Sequence, residues 1–231
     1  NFGSRFVLKS AWLVLCILAC VSLFVGAAEL SVFDVLSLIS GRFQDASQTT
    51  LILFELRLPR TLLAMFAGAA LSVGGVMMQT LFRNPLAEPG LVGVSAGASM
   101  GAVLALWLGF NGFTFTSVSA CIGALGASWL AWWVAQRNPM PAQLLLAGIA
   151  INALVISLVS LLMSLSDDQT LRSIVFWSLG SLARAQLEPV LGVGVWVLVV
   201  LISLQRESKA LNALLLGTRQ ARHVGLNVDR F

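Results

Sequence analysis

The sequence has 231 residues, of which 58% are hydrophobic and only 10% are charged, whereas soluble domains carry about 25% charged residues. This composition excludes a soluble globule and predicts a polytopic membrane protein. The formal net charge of +4 does not indicate a nucleic-acid partner, because the basic residues fall between apolar runs, as positive-inside loops do.

Six charge-poor apolar runs follow one another along the chain. The longest stretch without a charged residue, from Pro89 to Gln136, covers 48 residues. As a helix rising about 1.5 Å per residue it would cross a hydrocarbon core of about 30 Å more than twice. It must therefore turn, and Gly109-Phe110-Asn111-Gly112 is the predicted turn. The predicted spans are about 11–28, 61–82, 91–108, 113–135, 143–165 and 190–204.

No run alternates between apolar and polar residues as the strands of a membrane β-barrel do. We therefore predict an all-α fold, a membrane helix bundle that forms a single transmembrane domain over residues 1–231. The first run follows Arg5 and Lys9 and precedes Gly26-Ala27-Ala28, so it resembles a signal peptide. Its apolar part is longer than the usual stretch of about 7 to 15 residues, and an uncleaved first helix is expected.

The loop charges predict the orientation of the chain. If the N-terminus is cytoplasmic, nine Lys and Arg residues lie on the cytoplasmic side and five lie on the other side, which satisfies the positive-inside rule. Trp129, Trp132 and Trp133 then lie at the cytoplasmic end of the fourth helix, where interfacial aromatic residues are common. Both ends of the chain are expected inside the cell.

Arg57-Leu58-Pro59-Arg60 is predicted to begin the second helix on the outer side, with Pro59 in the first turn. Two arginines at a helix N-terminus oppose the positive end of the helix dipole, and a positive-inside signal does not explain them. The carboxylates of a partner would gain from both guanidinium groups and from the helix end.

The next connection, from Arg83 to Gly90, is a predicted cytoplasmic loop whose two prolines and glycine are explained by turn chemistry. After it, Gly93, Gly97 and Gly101 recur every four residues. Small residues at this spacing let membrane helices approach each other closely. Packing within one chain is the commoner outcome, although a dimer contact has the same signature.

Gly93-Val94-Ser95-Ala96-Gly97 matches the Gly-x-Ser-x-Gly pattern of serine hydrolases, in which the serine lies on a strand-to-helix turn. Here the pattern begins a membrane helix, and the single histidine, His223, lies beyond the last predicted span. An intramembrane serine enzyme is therefore a remote alternative, and no catalytic residue is predicted. Cys16, Cys20 and Cys121 lack metal-ligand spacing, so no metal is predicted.

The sequence contains no Gly-x-x-x-x-Gly-Lys-Ser/Thr motif, so any ATP hydrolysis would take place on another chain. No acidic residue lies in the middle of a predicted span, where a proton or sodium relay would be expected. This argues against a transporter driven by an ion gradient but leaves that alternative open. No cofactor is predicted.

The tail from Lys209 to Asp229 is predicted to hold two short basic helices. The first would run from Ala213 to Gly217, which would close it as a glycine cap. The second would begin at Thr218 as its N-cap and close at Gly225. Such a pair of helices would either lie on anionic lipid or bind a soluble partner.

Taken together, four motifs in this order resemble the FecCD family, the permease subunits of bacterial ABC importers for iron–siderophore complexes, haem and cobalamin. They are Arg57-Leu58-Pro59-Arg60, the loop from Arg83 to Gly90 with Gly93-Val94-Ser95, Leu144-Leu145-Leu146-Ala147-Gly148, and Ala213-Leu214-Leu215-Leu216-Gly217 with Gly225. The resemblance covers the whole chain. It implies a multi-pass protein of the bacterial inner membrane that is not itself an enzyme.

The resemblance also implies partners and site residues. The expected partners are a second permease copy in a homodimer, cytoplasmic ATP-binding subunits, and a periplasmic substrate-binding protein that docks on Arg57 and Arg60. Residues 207–229 would form a coupling segment that contacts the ATP-binding subunits through Ala213, Leu214, Leu215, Leu216, Gly217, Thr218, Arg219, Ala221, Arg222, His223 and Gly225. A cytoplasmic gate would lie at Met140, Pro141 and Ala142, where the sequence departs from the small hydroxyl residues of the cobalamin permease.

Within the family, residues 171–182 are most similar to haem permeases, so an iron chelate, with haem favoured, is the expected cargo. Ferric siderophores and cobalamin are the alternatives. The family continues beyond the position that matches Phe231, and the chain is therefore expected to be truncated at its C-terminus.

Overall fold

The computed structural model describes residues 2–26, 49–110, 112–136, 141–223 and 225, and all regular structure within these ranges is helical. This confirms the predicted all-α fold. The elements in chain order are α1 (Phe2–Phe24), a π-helix (Leu51–Arg57), α2 (Leu58–Phe82), a 3₁₀-helix (Pro89–Val92), α3 (Val94–Trp107), α4 (Phe113–Ala135), α5 (Pro141–Ser164), α6 (Asp168–Leu179), α7 (Leu187–Arg206), α8 (Ser208–Leu215) and α9 (Thr218–His223).

Within the described residues, five helical stretches are long and apolar enough to span a membrane, namely Phe6–Phe24, Leu51–Phe82, Phe113–Ala135, Ala142–Ser164 and Leu187–Arg206. The predicted third span is different, because α3 has only 14 residues and rises about 21 Å against a core of about 30 Å. Gly93, with φ +89°, precedes α3 in the left-handed conformation, so the helix cannot continue back into the 3₁₀-helix.

The long helices carry large apolar side chains on their outer surfaces. In α4, Ile122, Leu125 and Trp129 are each at least 60% exposed. Such a surface would be unfavourable in water and suits a hydrocarbon environment. The chain is therefore a multi-pass membrane protein.

One compact unit comprises Asn1–Gly68 and Leu182–Leu198. Within it, the Ser22 and Thr61 hydroxyls form a hydrogen bond of 2.9 Å that joins α1 to α2. A Cβ atom on Gly194 would meet the ring of Phe66 at 2.5 Å, so the glycine allows α7 to lie directly on that ring.

The second unit comprises Ala69–Ser181 and Val199–Phe231, and α3, although short, is the most buried of its described helices. One side of α3 packs against α4 and α5 around the buried residues Ala127, Ala131, Ile151 and Val155. Its C-terminal part packs against α5 and α6 around Val103, Leu106 and Ile174.

The turn after α3 forms where the glycine pattern predicted it. Gly109 has φ +86°, and the N–H groups of Gly109 and Phe110 donate to the carbonyls of Leu106 and Ala105. This is the pattern of a glycine-capped helix end. Asn111, also part of the predicted turn, lies outside the described residues.

Helix α6 begins with a side-chain cap. The Asp167 carboxylate accepts hydrogen bonds from the backbone N–H groups of Gln169 at 3.1 Å and Thr170 at 3.4 Å. Hydrogen bonds from Thr170 hold the pKa of the Asp167 carboxyl below its ordinary value. The charged form is favoured because it satisfies otherwise unpaired donors at the positive end of the helix.

Helix α2 begins at Leu58, inside Arg57-Leu58-Pro59-Arg60, as predicted, but this position is not the free helix end that the sequence suggested. The π-helix Leu51–Arg57 runs directly into α2 at Leu58, so both arginines lie within a longer helical stretch. In a regular α-helix the Pro59 ring would clash with the carbonyl of Glu55, and the wider π-turn lies at this place.

Candidate functional site

Arg57 is a buried helix-capping residue. Its Nη1 donates to the backbone carbonyls of Leu23 at 2.8 Å and Phe24 at 2.6 Å, and only 8% of the residue is exposed. These carbonyls belong to the last turn of α1, where the helix dipole favours a cation. The guanidinium predicted to meet a partner thus already binds the end of α1.

Arg60, one helical turn further along, lies at the surface. Its Nη2 donates to the backbone carbonyl of Ala183 at 3.2 Å, in a solvent-exposed position. Among the described residues this is a contact with a neutral acceptor, which leaves further guanidinium N–H groups of Arg60 able to bind a carboxylate. The predicted docking pair therefore divides into one buried and one exposed residue.

The glycines of α3 have two different roles. A Cβ atom on Gly97 would overlap the carbonyl oxygen of Gly123, and one on Gly101 would overlap the carbonyl oxygen of Ser119. Backbone therefore lies directly on backbone where α3 crosses α4. Gly93 has no such overlap and is required by its φ of +89°.

Two further glycines complete this packing. Gly123 of α4 faces the backbone of Gly97 and Gly101, and Gly148 of α5 lies against the carbonyl of Leu91. Gly148 had been noted only within the resemblance motif, and Gly123 had not been noted. A reading of the sequence alone gives no partner helix, so Gly123 could have been found only as one more small residue in an apolar run.

A groove of about 330 Å³ lies between α3, α5 and α6. It is lined by small, apolar and hydroxyl residues: Gly90, Ser95, Ala96, Ser99, Asn152, Val155, Ile156, Val159, Ser160 and Ser178. This lining contains no histidine or acidic residue that could activate Ser95 as a nucleophile. In the described part of the chain, no group of three or more His, Cys, Asp or Glu residues could hold a metal ion.

Asn152 fixes one wall of this groove. Its Nδ2 donates to the carbonyl of Gly90 at 2.9 Å, which ties α5 to the 3₁₀-helix before α3. Its Oδ1 is buried and has no hydrogen-bond partner among the described residues. The sequence signal for this residue is an amide side chain in the middle of the long apolar run of α5, and no motif marks it.

The predicted coupling segment forms two short helices, α8 and α9. The first is longer than predicted and begins at Ser208. Gly217 has φ +108° and accepts the first hydrogen bond of α9 from the N–H of Ala221. Gly217 is therefore the N-cap, and Thr218 is the first helical residue rather than the predicted cap.

Small residues of this segment are buried and large ones are exposed. Ala210, Gly217 and Ala221 are buried, whereas Leu215 is 52% and Leu216 64% exposed. Among the other predicted contact residues, Ala213 and Leu214 are half-buried, Arg222, His223 and Gly225 are exposed, and the side chains of Thr218 and Arg219 lie outside the described part. Segment α8–α9 thus presents leucines beside cationic residues, a surface suited to a protein partner.

The predicted gate falls largely outside the described residues. Met140 is not described, Pro141 is the first residue of α5, and Ala142 is exposed. The role of these residues stays a prediction.

Comparisons with known proteins agree on one class of membrane protein. Residues 14–231 match the FecCD transport family. The hemin transport system permease protein HmuU of Yersinia pestis is 42% identical over 183 residues, which cover 77% of this chain and 55% of the relative. The ferric enterobactin transport system permease protein FepD of Escherichia coli K12 is 39% identical over 222 residues, which cover 94% of this chain and 66% of the relative.

A solved structure of a metal-chelate type ABC transporter in an inward-facing conformation is also similar. Its TM-score is 0.85 at 32% sequence identity, and the match covers 98% of this chain and 70% of that chain. The vitamin B12 import system permease protein BtuC of Serratia proteamaculans is 40% identical over 77% of this chain and 54% of the relative. The chain thus spans between about half and two thirds of the length of these curated relatives.

Proposed function

The chain belongs to the FecCD transport family, and we propose that it is a permease subunit of an ABC importer that carries an iron chelate, with haem as the first candidate. The family match over residues 14–231 carries this proposal. The haem lean is supported by the 42% identity to a hemin permease. Ferric siderophores and cobalamin are the alternatives, since permeases for both are similar to this chain.

In the proposed mechanism ATP is hydrolysed on partner subunits, because this sequence holds no phosphate-binding loop. Closure of those subunits would push on the exposed leucine surface of segment α8–α9. The helices would then open the pathway to one side of the membrane at a time. The pathway would run through the inner membrane, with the N-terminus and segment α8–α9 in the cytoplasm and Arg60 on the outer side, as the loop charges predict.

The proposal is tested by reconstituting the transporter with its ATP-binding subunits and its periplasmic binding protein in proteoliposomes. ATP-dependent uptake of haem, a ferric siderophore and cobalamin is measured side by side. Haem uptake is expected, and uptake of only one of the others would replace the haem assignment. Uptake that survives an inactive ATPase but stops with an uncoupler would overturn the ABC mechanism, and uptake lost in Ser95→Ala would revive the serine enzyme.

Docking of the binding protein is assigned to Arg60, with Arg57 acting through the end of α1. Reversal of the exposed charge in Arg60→Glu should weaken capture of the binding protein by about tenfold and change its salt dependence. Arg57→Lys keeps a cation beside the α1 carbonyls and should leave capture unchanged. The measurement is the binding-protein affinity of the permease in nanodiscs at two salt concentrations.

Comparing Arg57→Lys with Arg60→Glu also decides the role of Arg57. If Arg57→Lys weakens capture as much as Arg60→Glu does, the Arg57 guanidinium contacts the binding protein directly. If neither substitution changes the affinity, the docking assignment is wrong, while the transport assay above is unaffected.

A further inference from the structure

Arg83 has an unfavourable backbone conformation at the end of α2. With φ +49° it is the only non-glycine residue of the described chain in the left-handed region. The N–H groups of Arg83 and Asn84 donate to the carbonyls of Thr80 and Gln79, the closing pattern in which glycine is the usual residue. An arginine at this position indicates that its side chain is needed there.

The loop after Arg83 holds this conformation in place. The backbone N–H of Leu86 donates to Asn84 Oδ1 at 2.9 Å, and Ala87 donates to the Asn84 carbonyl at 3.1 Å. Pro89 returns against α2, where its Cγ lies 3.1 Å from a Cβ atom built on Gly74. The Arg83 backbone is thus fixed on both sides.

The side chain of Arg83 reaches the junction between α8 and α9. A Cβ atom built on the buried Gly217 would lie 3.3 Å from Arg83 Nη1 and 2.8 Å from Gln220 Oε1. Gly217 follows α8 after Leu216 and is also the N-cap of α9, and its N–H donates to the carbonyl of Leu214. The guanidinium therefore lies where the negative end of the α8 dipole meets the positive end of α9, while its own backbone closes α2.

We propose that Arg83 is a positioning residue that holds segment α8–α9 against the C-terminus of α2 and so carries movement of the segment into that helix. This rests on the proposed function, because the segment must first receive a push from ATP-binding subunits. The sequence reading explained the loop from Arg83 to Gly90 by turn chemistry alone, and the guanidinium gives it a second role.

Three substitutions separate the backbone of Arg83 from its charge. Arg83→Lys keeps the cation, Arg83→Asn removes it in a residue that tolerates the left-handed conformation, and Arg83→Gly removes it while relieving the backbone. The measurement in the assembled transporter is substrate carried per ATP hydrolysed, together with the amount of ATPase that co-purifies. The Asn and Gly variants should lose about twofold to fivefold in this ratio, the range given by a charge at a helix end, whereas Lys should restore most of it.

The ATP-binding subunits should still co-purify with all three variants, since Leu215 and Leu216 are unchanged. Parental ratios in both the Asn and Gly variants would overturn the proposal. So would an equal loss in the Lys variant, because the charge would then not hold the segment. Loss of ATPase from the Asn and Gly variants would also overturn it, because Arg83 would then serve assembly.

A cross-linking test needs no partner protein. With Cys16, Cys20 and Cys121 replaced by serine, the pair Arg83→Lys and Gln220→Cys, which keeps a cation at position 83, is treated in membranes with a short reagent that joins an amine to a thiol. A cross-link between positions 83 and 220 that Gln220→Cys alone does not give is expected in the digested protein, and its absence overturns the proposal while leaving the import function intact. If the parent chain binds no ATPase, the import function fails instead, and the cross-link still reports the contact.

Discussion

Glycine is central to two regions of the molecule, the crossing of α3 and α4 and the helix pair α8–α9, for different physical reasons. At the crossing, Gly97, Gly101 and Gly123 are ordinary helical residues whose missing side chains let two backbones touch. In the helix pair, Gly217 and Gly225 have φ values of +108° and +87°, which only glycine adopts readily. Glycine is required at the crossing by contact with a helix that is distant in the sequence, and in the helix pair by the backbone conformation of the glycine itself.

This difference has a consequence for function. No other molecule can bind where α3 crosses α4, because the space between the two backbones is filled by the hydrogen atoms of the glycines. The helix pair turns at Gly217 and leaves Leu215 and Leu216 largely exposed. Where glycine is needed for a local backbone conformation, the surrounding surface can stay exposed and bind a partner. Where glycine is needed for helix packing, the surface is already buried against another helix.

The largest effect is expected at the crossing. Gly123→Ala would place a methyl group against the backbone of Gly97 and Gly101, which must move apart, and overpacking costs about 1–3 kcal/mol or more. We expect a loss of at least about 3 kcal/mol, because the obstacle is backbone rather than a flexible side chain. The measurement is unfolding of the purified protein in detergent.

Gly126→Ala is the matched control on the same helix, since nothing lies within 4 Å of a Cβ atom at Gly126. It should be neutral or should stabilise α4 by up to about 1 kcal/mol. Equal losses in both variants would show that α4 needs glycine for reasons other than its contact with α3.

These two regions also show how far the sequence alone can lead. The long apolar helices were predictable, because charge-free length is a property of the chain itself. The four-residue glycine spacing indicated a close-packed face but could not name α4 as its partner. The short α3 was missed, since an apolar run gives the same signal whether a helix crosses lipid or lies buried inside protein.

The candidate sites also contain some features that the local sequence predicts and others that depend on contacts between distant parts of the chain. The glycine ends of α8 and α9 were predictable from local turn chemistry. The burial of Arg57 and the contact between Arg83 and Gly217 were not, because each joins residues far apart in the chain. A charged residue in a loop motif gives no sign of whether its guanidinium meets a partner protein or the end of another helix.

The next largest effect is expected on partner binding rather than on folding. Leu215→Asp removes an exposed apolar side chain that the proposed ATPase contact would bury, and affinity for the ATP-binding subunits should fall at least about tenfold. Thermal stability should change little, since substitutions of exposed residues usually fall within about 0.5 kcal/mol. Affinity is measured by co-purification at graded ATPase concentrations.

Asn212→Asp controls for the added charge, because Asn212 is an exposed residue of the same helix. It should leave ATPase binding near the parental level. If it detaches the subunits as well as Leu215→Asp does, then charge on α8, and not the leucine surface, governs the contact.

The smallest effect is the difference expected between two glycine substitutions within the helix pair. Gly217→Ala and Gly225→Ala both force a Cβ atom onto a left-handed residue, at a cost of about 1–2 kcal/mol each. Only Gly217 has neighbours at that position, Gln220 Oε1 at 2.8 Å and Arg83 Nη1 at 3.3 Å, whereas Gly225 has nothing within 4 Å. Both neighbours are ends of flexible side chains, so the extra loss at Gly217 should be below about 1 kcal/mol.

Hydrogen exchange at the α8 and α9 amides measures this difference locally, because it reports opening of the segment without global unfolding. Protection should fall more in Gly217→Ala than in Gly225→Ala. Equal falls would mean that the Arg83 and Gln220 side chains move aside without an energetic cost. Position 217 would then require glycine only because of its positive φ, and Arg83 could remain beside α8. If Gly217→Ala lost as much stability as Gly123→Ala, the helix pair would be packed as tightly as the crossing of α3 and α4. A segment packed that tightly could not move when the ATP-binding subunits push on it.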